Sequence, residues 1–400
     1  MIHSIKNSFK HVNSLSSRTL TKLFSSRSNK IVDLRSDTVT NPTKGMREAM
    51  SNAIVGDDVF GEDPTINSLE NRVADLLGFE KGLFLPTATM SNLAAIGAHT
   101  SSSRLNEIIL GDISHIFVYE CGGASAYMGC SFNLIPNLPD GSMKINDIEN
   151  AIRDKTDVHQ PHTNLICIES SHNKCGGTIP KPEWTFELSQ LAKNHDSIPI
   201  HMDGSRFLNS CASLDVEPHV LAKGSDSVTL CLSKGLGCPL GSILVGSDSF
   251  IHKARHIRKS LGGGMRQAGV IAQCGHYALD HHLDGLKDDN NRAKTLASGI
   301  SLLPGLTVTH HIETNIVFFS VEKALAKDLT LALKQDHNIM MNAYSDSLVR
   351  CVTHLGVNDE DIHNTLKAIE VCWSKLYDSS NSAKAVWMSA VGVGTSGDDK

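Results

Sequence analysis

The sequence predicts an α/β fold with a mostly parallel sheet, followed by a smaller α+β unit. Three observations carry that prediction. Short apolar, β-branched runs alternate with helical periodicities through the first two-thirds of the chain. Polar clusters close several of those runs, at the carboxyl ends of strands where open α/β sheets bind ligands. The composition fits as well: 400 residues, 40% hydrophobic and 20% charged, suit a large domain with one smaller companion.

The folded part opens at residues 31–40, a strand-like run of polar and β-branched residues, and Asn41-Pro42-Thr43 turns the chain into a helix over 44–53. Ile66, Leu69, Val73, Leu76 and Leu77 recur at helical spacing, which predicts a helix over 65–77. Strands follow at 82–86, 107–110, 164–169, 198–202, 228–232 and 242–246, with helices at 93–100 and 187–194 among them. A long helical region, about 268–302, leads to strands near 307–310, 316–320 and 347–353 and helices near 323–336 and 359–377. The expected divisions are a large domain over 31–285 with an N-terminal arm, a small domain over 286–378, and a loose Ser-, Gly- and Ala-rich tail over 379–400.

Charge and patterning exclude several classes. No apolar run approaches the roughly 18 residues that span a bilayer, so no membrane partner is expected. The net charge of −6, with no basic block in the body, argues against nucleic acid. Residues 1–30 stand apart: Lys6, Lys10, Arg18, Lys22, Arg27 and Lys30 occur there with no acid. The chain's −6 therefore divides into +6 in this segment and −12 over residues 31–400. Ser-rich and basic, with Ile2, Ile5, Phe9 and Val12 on one helical face, the segment has the pattern of a mitochondrial transit peptide. A tail with no address, on a cytosolic protein, is the alternative. The ten cysteines form no C-x-x-C pair and no zinc spacing; they read as small buried hydrophobes, and no metal site is expected.

Chemistry gathers at three places. The run 228–232 ends in Ser233-Lys234, followed by Gly235, Gly237 and Gly241. A lysine among residues of so little bulk is placed as a Schiff-base nucleophile, and the glycines would let a flat ligand and a neighbouring subunit approach the backbone. The preceding strand ends in Asp203-Gly204-Ser205-Arg206, and the 31 positions from Asp203 to Lys234 fit consecutive strands joined by one crossover. Pyridoxal phosphate needs such a lysine, a carboxylate for its pyridinium nitrogen and an anion cradle for its phosphate. Thr87-Ala88-Thr89, between a strand and a helix start, offers hydroxyls and free N–H groups for that anion. His115, with Tyr119 and Glu120 four and five residues on, could stack on or polarise a ligand.

These motifs resemble the threonine aldolases, pyridoxal-phosphate enzymes of fold type I with an aspartate-aminotransferase-like large domain. The resemblance spans about residues 31–375 and rests on ordered motifs: Asp33–Thr40, Val55–Asp58, Gly61–Thr65, Ser114–Ile116, His172-Asn173, Asp203-Gly204, Ser233–Gly237 and Leu261–Gly269. It implies that Lys234 carries the cofactor and that Asp203 holds the pyridinium proton. His115 would stack on the ring, and Ala88 and Thr89 would bind the phosphate. Lys259 and Arg266 would reach that phosphate from a neighbouring subunit, in a homodimer or homotetramer. Ser36, Arg206 and Arg350 would bind the carboxylate of a small amino-acid substrate. His172 and His115 would sit near its β-hydroxyl. The implied reaction is retro-aldol cleavage of L-allo-threonine or L-threonine to glycine and acetaldehyde, with β-elimination on the same scaffold as the alternative. His115, His172 and an ordered water are all candidate proton acceptors. Ala88, Ser205 and Phe60 depart from the usual Gly, Ala and Tyr.

Overall fold

The computed structural model describes residues 30–102 and 104–390, with side chains to residue 378; the basic segment read over 1–30 lies, but for Lys30, outside the described residues. The first strand, β1 (Val32–Asp33), is followed by a short 3-10 turn at Asp37–Val39 and the helix Lys44–Ser51. The strand-like stretch 31–40 is thus mostly irregular. Only its start pairs, Val32 and Asp33 with Ile339 and Met340, and Asp37 further on is buried for a polar contact.

The helix Pro64–Leu77 shows how the local sequence sets an element. Asp63 caps it, accepting from the Thr65 and Ile66 N–H groups at 3.1 and 3.0 Å, and Pro64 occupies the first turn, where its missing N–H costs nothing. Gly78 ends it in the left-handed conformation at φ 77°. Its buried face, Ile66, Leu69, Val73 and Leu77, is the face the spacing predicts.

Seven strands then build the main sheet: β2 (Lys81–Leu85), β3 (Asn106–Gly111), β4 (Ser131–Ile135), β5 (His162–Glu169), β6 (Ile200–Gly204), β7 (Ser227–Cys231) and β8 (Ser242–Gly246). Their order is β2-β8-β7-β6-β5-β3-β4, and β8 alone runs antiparallel to its neighbours. Alternate residues of one strand feed opposite cores: Phe84, Ile109 and Ile166 face one side, Leu83, Ile108 and Leu165 the other. Both faces are therefore covered by helices, as a parallel sheet requires. Ala94, Ala95 and Ala98 of the helix Ala88–Thr100 pack there against Phe250, Ile251 and Ala254 of the helix Asp248–Ser260. The sequence pattern misses β4, whose side chains are mostly half-buried or exposed at the sheet edge.

The smaller unit is a four-stranded antiparallel sheet in the order β12-β13-β10-β9, from β9 (Leu306–Val308), β10 (Ile316–Val321), β12 (Asn342–Ala343) and β13 (Leu348–Val352). β11 (Ile339–Met340) pairs instead in parallel with β1, and Val32 and Leu34 join the smaller core. The helical region expected over 268–302 is two helices, Gly269–His281 and Leu283–Ile300. The second belongs to both cores: Leu286 packs in the larger, Ala293, Leu296, Ala297 and Ile300 in the smaller. The division expected after residue 285 thus falls inside a helix. The last helix, Asp359–Ala390, runs past residue 378 into the stretch expected as a tail. No described helix is long and apolar enough to cross a membrane.

Candidate active site

A cavity of about 310 Å³ opens where the two units meet. The main sheet and its loops contribute His115, Tyr119, Glu169, Ser205, Arg206 and Lys234 to its wall; the N-terminal arm gives Ser36 and Thr38, and the small unit Asn342, Tyr344 and Arg350. Strand geometry places the chemistry. Asp203 and Glu169 are register partners on the parallel pair β5 and β6, and Lys234 follows three residues after the end of β7, the other neighbour of β6. Gly204 permits the close packing here, since a Cβ would lie 2.3 Å from the Thr229 carbonyl oxygen on β7.

The glycines after Lys234 serve the chain's own packing, which corrects the expectation that they leave room for a ligand and a second subunit. A Cβ on Gly235 would meet Leu286 Cδ2 at 2.8 Å, and Gly237, at φ 72°, faces Leu355. The Lys234 carbonyl accepts from the Gly237 N–H at 2.8 Å, so the lysine sits at the head of a tight turn.

Asp203 is 1% exposed. One carboxylate oxygen accepts from the Ser205 N–H and hydroxyl at 3.0 and 2.7 Å, the other from Asn92 Nδ2 at 3.0 Å. Burial works to raise its pKa, but His115, Lys234 and the Ser205 hydroxyl outweigh it and hold the group below its ordinary value. Ser205, where the resemblance expects Ala, thus contributes a hydrogen bond to this carboxylate. His115 starts the helix His115–Tyr119; its N–H donates to Glu169 at 2.7 Å and its Nδ1 lies 3.0 Å from Glu120.

Arg206 is buried and committed. Its Nε and a terminal nitrogen donate to the two oxygens of Asp37 at 2.7 and 2.8 Å, and Asn315 donates to the same carboxylate at 3.1 Å. Burial opposes ionisation of Asp37, but the Arg206 and Lys234 charges hold its carboxyl far below the usual range. Arg350 differs. One terminal nitrogen donates to Asn173 at 2.9 Å, while its buried Nε has no hydrogen-bond partner among the described residues. Burial and the nearby Arg206 pull its pKa down to about 10, so it stays cationic and short of an anion.

The remaining expected residues are distributed unevenly. Thr87 caps the helix Ala88–Thr100 by accepting from the Met90 N–H, so Ala88 and Thr89 lead its first turn. His172 is 1% exposed and is not on the cavity wall; Nδ1 accepts from the Cys175 N–H at 3.3 Å and Nε2 faces Glu169 at 3.5 Å. Lys259 and Arg266 lie outside this cavity: Arg266 pairs with Asp57 at 2.9 Å, and Lys259 lines a separate hollow with Val59, His252 and His256. Phe60 is 73% exposed and does not line either cavity. Asp37, Asn92, Tyr344 and Glu169 are site residues that sequence reading missed. Asp37, inside the Asp33–Thr40 motif, and Glu169, at the end of the predicted strand 164–169, carried a signal; Asn92 and Tyr344 did not.

Residues 33–324 match the family of beta-eliminating lyases, which gives the general class. Among curated proteins, the chain is 42% identical over 356 residues to low-specificity L-threonine aldolase 1 of Arabidopsis thaliana, covering 88% of this chain and 99% of that one. It is 37% identical to the low specificity L-threonine aldolase of Escherichia coli K12, covering 83% and 96%. A solved structure of threonine aldolase from Leishmania major superposes with a TM-score of 0.73 at 19% identity, covering 85% of this chain and 98% of that one; at that identity the likeness shows the fold. The chain therefore belongs to the beta-eliminating lyases and, within them, to the threonine aldolases.

Proposed function

We propose that this chain cleaves L-threonine and L-allo-threonine to glycine and acetaldehyde with pyridoxal phosphate as cofactor. The observation that carries this reading is the cavity itself, lined by Lys234 and by a cationic Arg350 whose Nε has no hydrogen-bond partner among the described residues, with an ionised Asp203 buried directly behind the wall residue Ser205. The donor set fits the cofactor. Lys234 would hold it covalently, Asp203 would keep its ring nitrogen protonated, His115 would flank the ring, and the N–H groups of Ala88 and Thr89 would take its phosphate. When bound, the cofactor withdraws electrons from the substrate Cα so that the Cα–Cβ bond can break.

The chain's own groups do the rest. Arg350 binds the substrate carboxylate, with Ser36 on the same wall, and Arg206 keeps the arm in place through Asp37. His115 directs Nδ1 to Glu120, so Nε2 is the nitrogen available to take the proton from the β-hydroxyl. His172 is buried off the cavity wall, with Nε2 3.5 Å from Glu169 and no hydrogen-bond partner among the described residues. Tyr119 and Tyr344 meet through their hydroxyls on the cavity wall, one from each unit.

The test is turnover of both threonine diastereomers by purified protein, with and without added pyridoxal phosphate, scoring glycine and acetaldehyde against ammonia and a keto acid. Glycine and acetaldehyde are the expected products; ammonia and a keto acid would instead establish β-elimination. Lys234→Ala should lose the visible absorbance of the lysine-bound cofactor. A homodimer or homotetramer in which Lys259 and Arg266 serve a neighbouring subunit agrees with their place outside the chain's own cavity, and light scattering checks it. A mitochondrial address for residues 1–30 is tested by fluorescent fusions with and without them.

A further inference from the structure

Asn92 holds two carboxylates at once. Its Nδ2 donates one proton to Glu120 at 2.9 Å and the other to Asp203 at 3.0 Å, and its Oδ1 lies 3.1 Å from His201 Nε2. These contacts fix every proton along the line. An amide nitrogen that serves two carboxylates leaves only its oxygen for His201, so His201 must carry its proton on Nε2. Its Nδ1 then accepts from the Ser227 hydroxyl at 2.9 Å, and Ser227 in turn accepts from His99 Nε2 at 2.8 Å. Burial lowers both imidazoles, to about 4 for His201 and about 3 for His99, so both are neutral as the pattern requires. All five side chains from His99 to Glu120 through Asn92 are buried or nearly so.

Glu120 stands at the far end. The same oxygen that accepts from Asn92 also lies 3.0 Å from His115 Nδ1. We propose that Glu120 is a positioning residue that holds the Nδ1 proton of His115, turns Nε2 to the substrate, and is itself locked in register with Asp203 by Asn92. This rests on the reading of His115 as the proton acceptor. The charged groups around His115 are Glu120 at the end of its own helix, Glu169 on β5, Asp203 on β6 and Lys234 after β7. Burial alone would lower the imidazole, but the Glu120 bond and the Asp203 charge raise it above its ordinary value. Glu120 rises too, from burial and the neighbouring Asp203.

The sign of the effect follows. As an acceptor, His115 works neutral, so turnover increases with pH through its titration. Removing the Glu120 charge removes what favours the imidazolium, and the acid limb of kcat must move to lower pH. The experiment is NMR titration of the histidine resonances in wild type, Glu120→Gln and Glu120→Asp, with the His115 signal assigned by its loss in His115→Asn. It is paired with pH profiles of kcat for the cofactor-loaded proteins. The expected result is a lower His115 midpoint in Glu120→Gln, largely restored in Glu120→Asp. At neutral pH kcat falls roughly tenfold, part of the ~10²–10⁴ that a positioned base contributes, with KM nearly unchanged. Adding Glu120→Gln to His115→Asn should cost no further activity. An unmoved His115 midpoint in both Glu120 variants, or losses that multiply in the double variant, overturns the proposal. The titration needs no turnover, so a wild type that cleaves neither threonine diastereomer defeats the functional reading without deciding the role of Glu120.

Discussion

Arg206 grips Asp37 through two hydrogen bonds of 2.7 and 2.8 Å, and both side chains are withdrawn from water. The pair spans 169 positions and fastens the N-terminal arm over the end of β6. An arginine so engaged has little left for a substrate, whereas Arg350 Nε has no hydrogen-bond partner among the described residues.

The two arginines should therefore fail differently. Arg350→Lys is expected to raise KM for threonine by about tenfold or more, because a single ammonium cannot reproduce a fork of donors on a carboxylate, with little change in melting temperature. Arg206→Ala leaves the buried Asp37 carboxylate without its paired cation, with only the Asn315 hydrogen bond and the Lys234 charge nearby, and should cost about 3–5 kcal/mol of stability. Calorimetry alongside steady-state kinetics separates the two cases.

Asp203→Asn keeps the shape and the Ser205 contact but removes the charge. The protein is expected to retain the cofactor's visible absorbance while kcat drops by roughly 10²-fold, the scale on which a preorganised charge contributes. Absorbance and turnover of the same sample check it.

His172→Asn should lower the melting temperature and leave kcat within a few fold, since His172 is buried off the cavity wall. His115→Asn should do the reverse. Thermal denaturation and kcat measured on both variants decide between them.

Asp289 predicts a pH-dependent effect on stability. Burial raises its carboxyl to about 7 from 3.8, ahead of the attraction of Arg292, and one oxygen has no hydrogen-bond partner among the described residues. A carboxyl raised on folding binds its proton more tightly in the folded state. Its benefit is complete below about 3.8 and is lost as pH climbs through 7. Asp289→Asn should therefore match wild type in acid and be more stable by about 1–3 kcal/mol above neutrality. Denaturant midpoints at pH 4 and pH 8 test this.

Much of the site was legible because its chemistry lies where strands end. Lys234 and Asp203 close two apolar runs, and the pattern that marks a strand also marks its terminus. His115 belongs to the ordered motif Ser114–Ile116, whereas Arg350 lies outside the ordered motifs and follows from the family resemblance alone. Asn92 and Glu120 were harder to find as a pair: Asn92 sits in a helix 28 positions before Glu120 and 111 before Asp203, and only folding brings the three together. A motif fixes the order of residues, not how far each stands from the cavity: Ser171 and Asn173 line the wall, while His172 between them is buried. Asp58 and Asp63 belong to conspicuous acidic motifs yet have structural work. Asp58 pairs with Arg258 at 2.6 Å, and Asp63 caps a helix and accepts from the Gly269 N–H at 2.9 Å. A sequence shows such residues as chemically rich without showing that the fold already consumes them.

The helix Leu283–Ile300 carries side chains of both hydrophobic cores, and β1 sends the beginning of the chain into the smaller one. The two units are consequently poor modules for exchange. A C-terminal half grafted from a relative would have to bring a matching helix face and accept this chain's Val32 and Leu34. Recombination at residue 285 would break one core in each parent, so hybrids with junctions in the loops on either side of this helix and its arm contacts should survive far more often.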